Sequence, residues 1–121
     1  MKLLLTVLFC LSLPLIVGCL TPEQKLKDSV IGEYEFTDED GETYKGVFLD
    51  NGIVEEHENG NKLEERKWTI VNGEIQVDDG SKKTPVLGIN KDRSITRIGY
   101  IFEGKRTVYL KENQWTFKKI K

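Results

Sequence analysis

Cys19 has the most suggestive setting of any reactive residue in this 121-residue chain. It follows Ile16-Val17-Gly18 at the end of an apolar stretch built from Leu3, Leu4, Leu5, Val7, Leu8, Phe9, Leu11, Leu13 and Leu15, with Lys2 supplying a positive start. That order of parts is the order of a secretory signal. A thiolate is a nucleophile. An uncut membrane span fits less well. The run from Leu3 to Gly18 includes Thr6, Ser12 and Pro14 and falls short of the ~20 apolar residues a spanning helix needs. Cys10 lies mid-run behind bulky Phe9, a poor place to cut.

The other chemistry-bearing residues are sparse. His57, the single histidine, sits in Glu55-Glu56-His57-Glu58 beside a turn. With Glu55 on the same strand face it could trade a proton or touch a metal. Two alternating side chains do not make the three or four ligands of a zinc site, so a solvated acidic hairpin is the reading adopted. Asp38-Glu39-Asp40-Gly41 resembles a calcium loop only briefly. Aligning Gly41 with that loop's glycine puts Phe36 and Val47 where oxygen ligands must stand. Ser29, Ser81 and Ser94 have no base nearby in sequence, and a lone histidine gives no convincing triad. No catalytic residue and no metal ligand is assigned, and the chain is read as a non-enzyme.

Ile16, Val17, Gly18 and Cys19 resemble the cleavage motif of bacterial lipoprotein precursors. The resemblance covers residues 1–19 and implies a cut between Gly18 and Cys19 that removes 1–18. It also implies a diacylglyceryl and an N-acyl chain on Cys19; apart from these lipids, no cofactor is expected. It places the protein in the cell envelope, held to a membrane by lipid. Leu20 rather than Asp after the cysteine implies the periplasmic face of the outer membrane where there are two membranes. Once Cys10 is removed and Cys19 acylated, no thiol remains for a disulfide or a zinc site.

These groups need elements to hold them. Thr21 reads as a helix cap, Pro22 suits the first turn and Gln24 completes a capping box. A short helix is expected over 22–29, with Leu26 and Val30 turned inward. Beyond it come Asp40-Gly41, Asn51-Gly52, Asn59-Gly60, Asn72-Gly73 and Asp79-Gly80, dipeptides that favour hairpin turns. Between them apolar residues recur with period two. Strands are expected over 30–36, 44–50, 53–58, 66–70, 74–78, 85–89, 94–102, 106–110 and 114–120, with a bulge near Gly99. This is an all-β fold, an antiparallel up-and-down meander of about eight to nine short strands, closed into a small barrel or folded into a sandwich after a short N-terminal helix. Three segments result: the signal at 1–18, the lipidated cysteine and helix at 19–29, and the β domain at 30–121.

Gly32-Glu33-Tyr34 resembles the Gly-x-Trp that opens a lipocalin-like domain, with Tyr in place of Trp. Lys67-Trp68-Thr69-Ile70 before Asn72-Gly73 is similar to a mid-domain hairpin of compact lipocalin-like lipoproteins. A single open sheet of MORN-type hairpins is the competing layout, faintly suggested by Tyr44-Lys45-Gly46 and Glu58-Asn59-Gly60. The barrel implies a cavity or cup; the open sheet implies a flat contact surface.

Alternation turns Tyr34, Trp68, Tyr100, Trp115 and Phe117 to the inside. They are the candidate lining of a pocket for a small apolar ligand, although in a barrel this small they could simply fill the interior, and filling is favoured. Charge is asymmetric: residues 19–79 carry 17 acidic and 6 basic side chains, residues 80–121 carry 3 and 11. The reading preferred is that early and late strands are neighbours with opposite charges facing each other. The basic tail Lys118-Lys119-Ile120-Lys121 solvates the last strand rather than reading nucleic acid. The expected role is to bind a small ligand or an envelope partner. The alternative is an accessory or inhibitory subunit of a membrane complex, acting through its sheet surface.

Overall fold

The computed structural model describes residues 21–121; the signal segment, Gly18 and Cys19 lie outside the described residues. Helix α1 (Pro22–Val30) starts at Thr21, whose hydroxyl accepts from the Gln24 backbone at 3.1 Å while Gln24 Oε1 accepts from the Thr21 N–H at 3.2 Å. The reciprocal pair satisfies two amides that a helix start leaves open. The expected capping box is therefore present. Val30 is buried and Leu26 packs against the core.

Nine strands follow: β1 (Gly32–Thr37), β2 (Thr43–Phe48), β3 (Ile53–Glu58), β4 (Asn61–Val71), β5 (Glu74–Asp78), β6 (Lys83–Ile89), β7 (Ile95–Phe102), β8 (Lys105–Val108) and β9 (Trp115–Lys119). Each pairs antiparallel with its neighbours. β1 to β7 run in chain order, and β9 joins β7 back to β1, so eight strands close into a barrel with β8 as an extra strand on β7. The expected meander is present, and closure decides between barrel and sandwich. The two-residue turns follow the dipeptides: Asn59 and Asn72 hold φ near 50°, followed by Gly60 at 84° and Gly73 at 79°. Those angles give the twist that tight hairpins require.

β7 is shared. Its first residues pair with β9 (Ile95↔Phe117, Arg97↔Trp115) and its last four pair with β8. The change of partner coincides with a bulge: Leu87 faces Arg97 but Val86 faces Gly99, leaving Ile98 unmatched. Gly99 is required here, because a Cβ would stand 1.9 Å from the Thr107 carbonyl oxygen. Pro85 sits where β6 has no β5 partner, since only Leu87 and Val86 pair with that strand.

The end of the barrel beside α1 is packed solid. Trp68, Ile70, Ile75, Ile95, Tyr34 and Val30 are buried there in one cluster. Trp68 meets Phe48 edge-on with ring centroids 5.4 Å apart, and Phe48 meets Tyr34 the same way. The Tyr34 hydroxyl donates to the Val30 carbonyl at 2.7 Å, tying the helix to the barrel floor. Residues 21–121 thus hold their own core cluster, their own helix cap and a sheet that closes on itself, so this piece can fold alone.

The charge halves meet as expected at several points. Lys118 is paired in register with Glu35, Lys121 Nζ lies 3.8 Å from Glu33, and Arg106 of β8 grips Glu74 of β5 through two 2.7 Å bonds. That last pair fastens the extra strand to the outer wall, and it holds the Glu74 carboxyl below its ordinary range.

Candidate ligand cup

The end opposite α1 is open. A cavity of about 290 Å³ enters the barrel there, close to the lower limit of small-molecule pockets. Its apolar depth is formed by Tyr34, Phe48, Val54, Val77, Leu87, Ile95 and Phe117, and its mouth by Tyr44, Trp115, Glu56, Arg66, Asp79 and Arg97. Period-two alternation on paired strands makes this lining: Tyr34, Gly46 and Glu56 stand side by side across β1, β2 and β3. Gly46 contributes no side chain, and that keeps the cup open at mid-height.

One wall is aromatic. Tyr44 and Trp115 line it, 6.1 Å apart and 26° off parallel, and Phe36 stacks against Trp115 at 5.5 Å with 9° between their planes. Trp115 is 43% exposed, so a flat indole face borders the mouth. Tyr44 donates to Glu42 at 3.0 Å; that bond, with burial and the acidic neighbours, pushes its hydroxyl pKa up to about 12.

The charged groups divide into two sides. Arg66 is surrounded by carboxylates: Nη2 is 2.8 Å from Glu64, Nη1 is 2.8 Å from Asp79, and Nε is 3.0 Å from Glu56 but not aligned to hydrogen-bond it. Hydrogen bonds from Ser81, and then the Arg66 charge, hold the Asp79 carboxyl below its ordinary range. Arg97, three strands further around the wall, has no carboxylate in salt-bridge reach among the described residues. Its Nε is buried without a hydrogen-bond partner, and its guanidinium lies 5.9 Å from the Tyr109 ring. A second recess, lined by Arg97, Tyr109, Glu112, Asn113 and Trp115, adjoins this corner.

Of the five expected pocket residues, Tyr34, Trp115 and Phe117 come together in the cup. Trp68 does not line it. It is 2% exposed and forms the floor, its indole N–H shared between the Leu49 and Ile53 carbonyls at 3.1 Å each. Tyr100 does not line it either. It lies beyond the β7 bulge with its ring against Tyr109 and the Lys83 ammonium 4.7 Å above it. The preference for a filled interior is also corrected: the floor is filled and the upper half is not. Val108, the last residue of β8, and Leu110 just beyond it are 57% and 65% exposed. Sequence reasoning missed Arg97 and Tyr44. The available signal for Arg97 was its place two residues after Ile95 on one strand, on the near side of the bulge at Ile98.

His57 Nε2 lies 3.3 Å from Glu55 Oε1, and Lys62 reaches the other oxygen at 3.4 Å. The histidine contact and the lysine hold the Glu55 carboxyl below its usual range. No group of three or more metal-ligating side chains occurs among the described residues. Comparison with protein families, with curated proteins and with solved structures finds no match to this chain.

Proposed function

We propose that this chain is a lipid-anchored cell-envelope protein whose barrel takes up a small ligand and performs no catalysis on it. The observation that carries the reading is the cup itself: an open cavity of about 290 Å³ with an apolar depth, one aromatic wall and charged groups confined to the mouth. A domain selected only for a packed core has no use for such a space, because unfilled apolar volume weakens the fold. The anchor reading rests on Ile16-Val17-Gly18-Cys19. Leu20 alone separates Cys19 from the Thr21 cap, and two residues span at most about 7 Å. Because α1 packs on the closed end, this tether directs the mouth away from the bilayer.

Uptake is measurable with N-phenyl-1-naphthylamine, an uncharged dye that brightens in apolar surroundings, added to residues 21–121 without detergent. Wild type should bind it. Gly46→Leu should lower that binding at least tenfold while the circular dichroism spectrum stays unchanged. The Cβ added at Gly46 meets nothing nearer than Phe48 at 3.5 Å, so the leucine enters the cup rather than the wall. Equal binding by the variant would place the dye elsewhere and end the cup reading.

The anchor has its own test. Full-length Cys19→Ser should accumulate as an unprocessed precursor that incorporates no labelled palmitate. Normal maturation of that variant would end the lipoprotein reading.

A further inference from the structure

The cup reading leaves the chemistry of the ligand open, and Arg97 narrows it. Each other cationic side chain lining the cup is matched. Lys45 contacts Glu33 at 3.1 Å, and Arg66 faces three carboxylates. Arg97 alone has a guanidinium with no carboxylate in reach and an Nε that is buried and unbonded. A buried donor without an acceptor is costly, and proteins keep such groups where something else supplies the acceptor.

Its neighbours say what kind of molecule would. Arg97 is paired in register with Leu87 on one side and Trp115 on the other, and Ile95 lies one inward step deeper. A charged group touching Arg97 therefore has an aromatic face beside it and apolar volume below it. The opposite corner carries three carboxylates around one arginine, an excess of negative charge that repels an anion. One placement suits both corners: a negative head at Arg97, with an apolar body directed into the cup along the Tyr44–Trp115 wall.

Building on the cup reading, we propose that the ligand is an amphipathic organic anion, a carboxylate, sulfonate or phosphate monoester on an apolar or aromatic body, and that Arg97 binds its head. The guanidinium can offer two parallel N–H donors to such a group. Arg97 faces inward by ordinary alternation from Ile95, in an unbroken register with β9 and β6, and the bulge at Ile98 comes only after it.

Two dyes with one skeleton test this. 1-Anilinonaphthalene-8-sulfonate is N-phenyl-1-naphthylamine with a sulfonate added. On residues 21–121 the sulfonate should bind about 10-fold or more tightly than the neutral dye, the scale of a charge-assisted hydrogen bond, and each should displace the other. Arg97→Gln should remove that advantage, the sulfonate losing about 10-fold more affinity than the neutral dye, while an unchanged circular dichroism spectrum shows that the barrel survives the substitution. Arg97→Lys, which keeps the charge and loses the fork, should recover part of it. If the two dyes bind wild type equally and Arg97→Gln alters neither, the anion assignment is overturned while the cup stands. Loss of both dyes in Arg97→Gln would give Arg97 a structural role and overturn the assignment as well. Failure of both dyes to bind wild type would overturn the cup reading and this inference with it.

Discussion

Trp68→Ala should lower the unfolding free energy by about 3–5 kcal/mol, the range for deleting a buried aromatic. The indole is 2% exposed and meets Phe48 edge-on, which itself meets Tyr34. Removing it opens the floor beneath Phe48 and Tyr34 and strips the Leu49 and Ile53 carbonyls of a shared donor. Trp68→Phe separates the two contributions. It keeps most of the apolar area and loses only the N–H, so its cost should be nearer 1 kcal/mol. Both carbonyls still accept from backbone amides, Gly52 to Leu49 at 3.2 Å and Leu49 to Ile53 at 2.9 Å. Urea titration of residues 21–121 measures both variants. A loss under about 1 kcal/mol for Trp68→Ala would mean the floor is not cooperative with the rest of the barrel.

That Trp68 belongs to the floor rather than to the cup shows where sequence reading stops. Alternation told inside from outside correctly for Tyr34, Trp68, Trp115 and Phe117, because a strand's side chains must take opposite faces in turn. It carries no information about height along the barrel axis. Height depends on how far each strand is shifted against its neighbours, which is a property of pairings made by distant residues. The turns were legible for the opposite reason: Asn59-Gly60 and Asn72-Gly73 select their own backbone angles locally. The helix cap at Thr21 was local too, and it was found. β4 was only half legible. Its first part, Asn61-Lys62-Leu63-Glu64-Glu65, has one apolar residue, Leu63, and that residue is 55% exposed. Those residues are strand because β3 pairs with them and because Lys62 and Arg66 neutralise the acids beside them.

The bulge on β7 is the most consequential departure. Counting by twos from Ile98 groups Tyr100 and Phe102 with it and leaves Arg97 outside. With Ile98 unmatched, Arg97 joins Leu87 and Trp115 instead. The extra residue falls between Arg97 and Tyr100, so a phase counted back from Tyr100 misses Arg97, whereas one counted forward from Ile95 reaches it. Gly99 marks the place, yet a glycine in a strand does not say on which side of it the extra residue falls. The candidate site was therefore legible as an aromatic lining and not as the corner where Arg97 stands without a carboxylate.

Tyr34→Phe should reverse its effect on stability with pH. At pH 7 the substitution should cost about 1 kcal/mol, because it leaves the Val30 carbonyl without the hydroxyl that bonds it at 2.7 Å. The ring itself can stay, edge-on to Phe48. In alkali the balance changes. Burial, opposed weakly by the charge of Arg93, pushes the Tyr34 hydroxyl up to about 12, against an ordinary value near 10. A tyrosine whose folded-state pKa is raised stabilises fully below the unfolded value. That contribution is then lost as pH rises through the folded value, since the unfolded chain ionises first. Wild type should therefore lose on the order of 2 kcal/mol between about pH 10 and pH 12 through this one group. Phenylalanine has nothing to ionise and escapes the loss. Tyr44, also raised to about 12, is present in both proteins and cancels from the comparison. Unfolding free energies of the pair should cross between pH 10 and pH 12, with the variant the more stable above the crossing. Parallel curves with no crossing would mean that the hydroxyl ionises as readily in the fold as outside it. The bond from Tyr34 to the end of α1 would then not be the closed, water-excluding contact that seals the floor of the barrel.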